Sequence, residues 1–496
     1  MATVAPTRVR SGRGVELVLL VVALVVAVAG YALVGIGVEG SAPANVVRYG
    51  VSMAVLAVVA HLVVRWRAPY ADPVILPTVV ALNGIGLAMI YRLNVDLADK
   101  QLMWSALSVI LALVVLVLLR DHRTLRRYSY TAMLASLVLL LLPMLPIIGK
   151  EINGARIWIG VGPASFQPGE MAKIGLAVFF AGYLVTNRDT LTLAGPTVLW
   201  MKLPRARDLG PILLFWAATM VVLVAQKDMG TAVLLFGMFV GAIYLATERV
   251  SWVLLGGALL AAGAWLLFVV PVTARRLSHI SRRVEGWQNA LDPAVYEKGS
   301  SYQLLEGKFG MASGGLFGTG LGQGHPYRIP FAYSDSIVAS LGEELGLTGL
   351  VAVLVLITIL VQRGMRTALG VRDGFGKLLA GGLSFLIALQ TFVVVGGVTG
   401  LIPLTGLTAP FLAHGGSSLL GNWLIVGLLL RISDDARRPA PAVPVLPTPS
   451  GGIPVLDRPS ADSAIVVAGS GVQDAPQPGP SGEGVAEVVP GNGASP

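Results

Sequence analysis

The sequence predicts an all-α polytopic membrane protein of about twelve transmembrane helices, and three observations lead there. Only 13% of its 496 residues are charged while 55% are hydrophobic, against roughly 25% charge in a soluble domain. Apolar runs of the ~20 residues that a spanning helix needs recur along the chain, giving a mean hydropathy of +0.75. The basic residues gather in the short segments between those runs, which is how a multi-pass protein is oriented. A soluble globular domain is thereby excluded. The absence of cysteine also excludes a disulfide framework, a thiolate nucleophile, an iron–sulfur cluster and a Cys-ligated zinc.

The candidate spans, in order, are 15–38, 48–64, 73–90, 102–119, 130–148, 166–186, 209–225, 230–247, 252–270, 336–362, 376–396 and 411–430. The first has three arginines before it, and Ala27-Val28-Ala29 resembles a signal-peptidase site. Its apolar run continues to Val38, too long for a cleaved signal, so it is read as a retained anchor. With the N-terminus inside, the cytoplasmic stretches hold 21 Lys and Arg and the short outer loops six. That bias places both termini in the cytoplasm. The net charge of +9 is therefore an orientation signal and an attraction to anionic lipid, with no need of a nucleic acid. Beyond about Asp434 the composition turns to Pro, Gly, Ser, Ala and Val, and twelve of the thirty prolines follow residue 438. Such a segment cannot bury a core and reads as a disordered cytoplasmic tail, a docking segment or a spacer.

Residues 271–335 break the rhythm of short loops, and long loops in compact proteins are usually functional. This outer segment opens with Arg275, Arg276, Arg282 and Arg283, which either touch lipid headgroups or clamp a phosphate or diphosphate. A glycine-dense stretch from Gly310 to Gly324 would let backbone approach a ligand, and it lacks the Lys-Ser/Thr ending of a nucleotide loop. Asp335 closes the segment, as a helix cap or as a general base at the membrane boundary. Glu343 and Glu344 follow two turns deeper, and intramembrane carboxylates are functional candidates by default. Glu170 and Lys173 share a helix face at i,i+3 and could neutralise each other, as a structural pair or as part of a site. Asp228 stands where it could cap the helix after Lys227. The Gly- and Pro-containing stretch from Gly400 to Ser418 interrupts a helix at membrane depth, which is tolerated only beside protein or a cavity.

Taken together these residues resemble the SEDS family, the FtsW/RodA/SpoVE proteins. The matching residues are Gly154-Ala155-Arg156, Phe166-Gln167-Pro168 with Glu170 and Lys173, and Asp228-Gly230-Thr231. Further along are Arg283, Leu291-Asp292-Pro293, Ser313-Gly314-Gly315-Leu316-Phe317-Gly318, Asp335, Gly342-Glu343-Glu344-Leu345-Gly346, Thr399 to Gly406 and Gly415-Gly416-Ser417-Ser418. The match runs in order over roughly 75–432. Local departures include Lys227 for the usual Pro and Ala413-His414 for the usual Ser-Tyr. The resemblance divides the chain into a cytoplasmic N-terminus (1–14), two additional helices (15–72), a ten-helix core (73–432) with the outer segment 271–335, and the tail (433–496).

The resemblance implies an inverting peptidoglycan glycosyltransferase that polymerises lipid II outside the cytoplasmic membrane, with a class B penicillin-binding protein as its crosslinking partner. The extra helices and the Arg-rich loop suggest the actinobacterial, RodA-like branch. In that reading Asp335 is catalytic and deprotonates the acceptor's 4-hydroxyl, undecaprenyl diphosphate leaves, and Arg156, Glu170, Lys173, Arg282, Arg283, Glu343, Glu344, Ser417 and Ser418 bind substrate. Charge neutralisation at the diphosphate falls to the arginines or to a divalent cation, Mg or Mn, although the loop lacks a dedicated carboxylate cage. A lipid II flippase is the alternative; it predicts polar groups down to the cytoplasmic side, whereas these clusters gather outside.

Overall fold

The computed structural model describes residues 12–152, 154–161, 164–188, 197–198, 201–202, 206–269 and 278–439. The chain divides into two units, Met1–Pro439 and Ala440–Pro496. The second unit, which holds most of the expected tail, lies outside the described residues, as do Arg275 and Arg276.

Helices form wherever the apolar runs stand. They are α1 (Arg13–Glu39), α2 (Val46–Arg67), α3 (Ile75–Leu93), α4 (Val95–Leu118), a short α5 (Thr124–Arg127), α6 (Ser129–Leu141), α7 (Gly169–Thr186), α8 (Ala206–Gln226), α9 (Met229–Thr247) and α10 (Ser251–Val269). The outer segment contains α11 (Ser278–Gln288), α12 (Pro293–Glu297) and α13 (Tyr302–Gly314), and after it come α14 (Ile337–Gly370), α15 (Gly374–Thr399) and α16 (Gly416–Arg437). Among the described residues nine of these helices are long and apolar enough to cross a membrane, and α6, α8 and α10 carry shorter apolar stretches. The chain is a multi-pass membrane protein, and among the described residues twelve apolar helices lie at or near the expected places.

Burial shows which helices are central. In α3 and α16, 89% of the apolar window is buried inside the protein, against 28% in α1 and α2. The first helix buries Leu20, Ala23, Ala27, Tyr31 and Val34 in one stripe and leaves Val18, Val21, Val22 and Val25 bare. A helix apolar on both faces with one face free of protein requires lipid there. α1 and α2 therefore flank the bundle, α1 lying against α3. The two are fastened to each other by Glu16, which accepts from Arg13 and pairs with His61 Nδ1 at 2.7 Å.

Besides a short antiparallel pairing of Thr197–Val198 with Met201–Lys202, two features depart from the helical run. The span expected to reach residue 148 ends in a 3-10 turn at Leu142–Met144, and a three-stranded antiparallel sheet follows: β1 (Gly149–Ile152), β2 (Ala155–Val161) and β3 (Ala164–Phe166). Its register pairs Gly149 with Ile159 and Ile152 with Ala155, and Ile159 with Phe166. The expected helix 411–430 starts five residues later, at Gly416. Residues 400–415, which hold Pro403, Pro410 and three glycines, run without regular structure back into the bundle.

The glycine stretch after α13 approaches the backbone of the following helix. Thr319 N donates to Glu343 O and Gly320 N to Glu344 O, each at 3.0 Å, while Leu347 N donates to Gly315 O at 3.0 Å. This pairing is possible because α14 breaks at Gly346, whose φ of 68° lies in the left-handed region that glycine enters without penalty.

Candidate active site

Asp335 lies at a polar cavity of about 390 Å³. α11 contributes Arg282, Arg283, Gly286 and Trp287, and the following loop and helix contribute Lys298, Gly299, Ser300, Gln303 and Leu304. Val393, Val394 and Gly397 of α15 and residues Leu404, Thr405, Gly406 and Leu407 form another part of the lining, completed by Lys227 and by Gly154 and Ala155 of the hairpin.

The Asp335 carboxylate does not cap the following helix. The cap position is Ser336, and its side chain accepts no capping bond. The turn that presents Asp335 is fastened on three sides: Ser336 N donates to Phe331 O at 3.1 Å, His414 N to Tyr333 O at 2.7 Å, and Gln303 Nε2 to Ser336 Oγ at 3.0 Å. Burial pushes the Asp335 carboxyl up to about 6, against the opposing pull of the Arg283 guanidinium and a hydrogen bond from Ser334. A carboxylate at about 6 is still ~90% ionised at pH 7 and is a stronger base than an ordinary aspartate.

Arg283 is placed by a latch between α11 and the irregular segment 400–407. Its Nη1 donates to Leu404 O at 3.1 Å, and Trp287 Nε1, one turn along, donates to Gly400 O at 2.7 Å. The segment is in turn held from below. Gln390 Nε2 donates to Thr408 O at 2.8 Å, Thr408 Oγ1 to Ser418 Oγ at 2.8 Å, and Gln101 Nε2 to Ala413 O at 3.1 Å.

Of the ten residues singled out from sequence, the structure brings Asp335, Arg282 and Arg283 to the cavity. Glu170 and Lys173 pair at 2.6 Å, both buried, and Lys173 Nζ donates to Gln390 Oε1 at 3.2 Å. Ser417 Oγ accepts from Gln167 N at 2.9 Å. Glu170, Lys173, Ser417 and Ser418 thus stand beneath the cavity, in the frame that holds the 400–415 segment. Glu343 and Glu344 are elsewhere: Arg92 Nε donates to Glu344 Oε1 at 2.8 Å, Gly322 N to Glu344 Oε2 at 2.9 Å, and His325 N to Glu343 Oε1 at 2.7 Å. Arg156 is exposed on β2 and pairs with Glu151 at 3.0 Å, next to the cavity residue Ala155. Asp228 fills the capping role its position suggested, accepting from Thr231 N at 3.0 Å.

Sequence reasoning overlooked Trp287 and Lys298, and the partnership of Arg92 with Glu344. Trp287 lies one turn beyond Arg283 on the same helix, a spacing visible in the sequence. The others reach their places only through loop closure. The hairpin did have a local signal: Asn153-Gly154 between two short runs with alternating residues is the strongest short-range mark of a tight β-turn.

Among the described residues the lining offers a hard cation one carboxylate among four cationic side chains, where Mg or Mn would want several oxygens. The cavity residues therefore do not fit a resident divalent metal. Among the described residues, one grouping of potential ligands converges, His122 with Asp373 and Asp435, at the opposite end of α15 and α16. Arg123 pairs with both carboxylates, at 3.3 and 3.2 Å. Burial works against the charged form of Asp373, but the Gly376 amide and His122 outweigh it and hold the carboxyl below its usual range. This is an ion-pair network. In the cavity itself, a base beside guanidiniums at the ends of apolar helices can deprotonate a hydroxyl while stabilising an anionic leaving group.

The family model described as "Cell cycle protein", FtsW/RodA/SpoVE, matches residues 73–438. The chain is 44% identical over 466 residues to the peptidoglycan glycosyltransferase RodA of Mycobacterium tuberculosis, covering 91% of this chain and 97% of that one. Among solved structures it is similar to a chain described in the structural coordination of polymerization and crosslinking by a peptidoglycan synthase complex, with 25% identity, a TM-score of 0.58, and 74% of this chain and 99% of that one covered. It is likewise similar to the rod shape determining protein RodA of Thermus thermophilus, with 26% identity, a TM-score of 0.53 and 74% and 98% coverage.

Proposed function

The chain belongs to the FtsW/RodA/SpoVE family of cell cycle proteins, and from that premise we propose that this peptidoglycan glycosyltransferase extends glycan strands from lipid II with Asp335 as its general base. The observation that carries the assignment is the Asp335 carboxylate, uncommitted to a helix cap and set in one cavity with Arg282 and Arg283.

Asp335 accepts the proton of the acceptor's GlcNAc 4-hydroxyl as that oxygen attacks C1 of the donor MurNAc from the face opposite the diphosphate. The C1–O bond breaks, configuration inverts, and undecaprenyl diphosphate departs with the bonding electrons. Diphosphate is a good leaving group, so protonating it matters less than neutralising its charge. Arg282 and Arg283 supply that neutralisation, since guanidinium binds phosphate bidentately. The Glu170–Lys173 pair acts through Gln390 on the 404–408 wall, as a positioning element. The basic bias of the loops supports placing the Asp335 end outside and both termini in the cytoplasm of a cell whose cytoplasmic membrane holds the protein. A transpeptidase of the class B penicillin-binding type is the partner this reading expects, in keeping with the likeness to a chain of a synthase complex that both polymerises and crosslinks.

Purified protein with that partner, given lipid II, is expected to yield glycan polymer, and the Asp335→Asn protein none. Polymer at the unaltered rate from Asp335→Asn would overturn the base assignment. Lipid II crossing vesicles equally in both, with polymer from neither, would replace the polymerase by a flippase.

A further inference from the structure

The cavity around Asp335 holds more positive charge than a single phosphate clamp uses. Its described lining contains Lys227, Arg282, Arg283 and Lys298 against one carboxylate, Asp335. Three of these cations come from the outer segment. Lys227 comes from the helical bundle, at the turn between α8 and α9. It is exposed, and among the described residues it forms no ion pair.

The backbone at Lys227 is set by the end of α8. Its φ is 60°, in the left-handed region, the conformation in which many helices close at their C-terminus. Three other non-glycine residues share this conformation among the described residues, Glu248, Phe331 and Phe411; none of them lines the cavity. The turn around Lys227 is held on every side. Asp228 N donates to Leu223 O at 3.0 Å and Lys227 N to Val224 O at 3.1 Å. The Gln226 side chain donates to Leu140 O. Gly230 lies so close to the cavity wall that a Cβ there would stand 2.9 Å from Thr405 O. The end of α8 thus fixes the Lys227 backbone at the cavity, where its exposed side chain forms no ion pair among the described residues.

Polymerisation brings two lipid-linked saccharides together, each bearing a diphosphate. The donor's diphosphate is bonded to the reacting C1, so it lies beside Asp335 and is met by Arg282 and Arg283. The acceptor reacts through a hydroxyl at the other end of its disaccharide from its own diphosphate. A cation other than those that neutralise the leaving group can meet that second polyanion. Because the polyanion is joined to a membrane-embedded chain, that cation would sit at the level of the helix ends. Lys227, between the ends of α8 and α9, meets both conditions. We propose that Lys227 is a substrate-binding residue that holds the diphosphate of the acceptor lipid; this rests on the polymerase reading above.

The test uses the full chain with its transpeptidase partner and two substrates. One is a labelled lipid II whose 4-hydroxyl is inverted, so that it can donate but not accept; the other is ordinary lipid II as acceptor. Lys227→Asn is the informative variant, because asparagine tolerates the left-handed turn while removing the charge. The acceptor KM is expected to rise about tenfold, the effect of losing one charge-assisted contact, with kcat and the donor KM unchanged. Lys227→Arg is expected to return the acceptor KM to within about twofold of the unaltered protein. An unchanged acceptor KM, an equal rise in both KM values, or a fall in kcat alone would overturn the assignment while leaving Asp335-dependent transfer intact. No transfer by the unaltered protein would remove the polymerase reading itself, and the inference with it.

Discussion

Arg283 and Asp335 converge on the α-carbon of Gly406: a Cβ built there would stand 3.3 Å from Arg283 Nη2 and 3.7 Å from Asp335 Oδ2. Residues separated by 52 to 123 positions in the chain thus share one small volume, and the glycine keeps that volume open. The proposed base and the proposed anion clamp both border the same stretch of irregular backbone, and the sensitivity predicted for the site follows from that.

Gly406 has a φ of 77°, so alanine there adds both backbone strain of ~1 kcal/mol and a methyl group between the two functional side chains. Gly406→Ala is expected to remain folded and to lose at least about tenfold in kcat/KM for lipid II, a barrier increase of ~1.4 kcal/mol. Polymerisation kinetics beside a melting curve in detergent check it.

As the proposed general base, Asp335, its carboxyl held near 6 chiefly by burial, is expected to set the acid limb of the reaction. Activity requires the ionised form, so kcat/KM is expected to fall with unit slope as pH drops below about 6. A limb near ~4, the range of an ordinary aspartate, would contradict a buried base.

The same shift has a consequence for stability. A carboxyl whose folded value exceeds its unfolded one favours folding when protonated, so its contribution is fully present below about 3.8 and is lost as pH rises through about 6; the folded state binds the extra proton in that window. Asp335→Asn removes the charge without the volume. It is therefore expected to melt higher than the unaltered protein at about pH 7.5 and by a smaller margin at about pH 4, while making no polymer. An equal margin at both pH values would sink this account.

Glu344 is fully buried and its partner Arg92 nearly so, at 2.8 Å. Arg92→Met strands a buried carboxylate, which typically costs about 3–5 kcal/mol, and is expected to lower the melting temperature markedly. Arg92→Met with Glu344→Gln leaves no stranded charge and is expected to recover much of that loss. Thermal melts of the two variants in one detergent decide it.

Glu170 and Lys173 invite a parallel comparison with a different readout. Lys173→Met breaks a buried 2.6 Å pair and the bond to Gln390 that supports the 404–408 wall. It is expected to reduce kcat more than it raises the lipid II KM, because the wall carries Arg283's acceptor at Leu404 rather than touching substrate. A rise in KM alone would mean that Lys173 contacts the substrate directly.

The membrane architecture is legible in the order of the amino acids alone. Apolar length and the scarcity of charge are local properties, and each of the twelve runs became a helix near its expected place because a bilayer admits little else. The Glu170–Lys173 pair was equally legible, since i,i+3 spacing puts two side chains on one helix face. Asp228 was readable for the same kind of reason, as a cap acts on its own turn. The roles of the remaining charged residues were separated by folding in three dimensions. Glu343 and Glu344 look like site carboxylates in a linear reading, but the glycine stretch folds back on the break at Gly346 and Arg92 arrives from α3 to take up the charge. Asp335 looks like a helix cap until Ser336 is found in that place. The joining of Asp335 to Arg283, Lys227 and Gly406 depends on loop closures over tens to hundreds of residues, and no periodicity along the chain encodes where such closures meet.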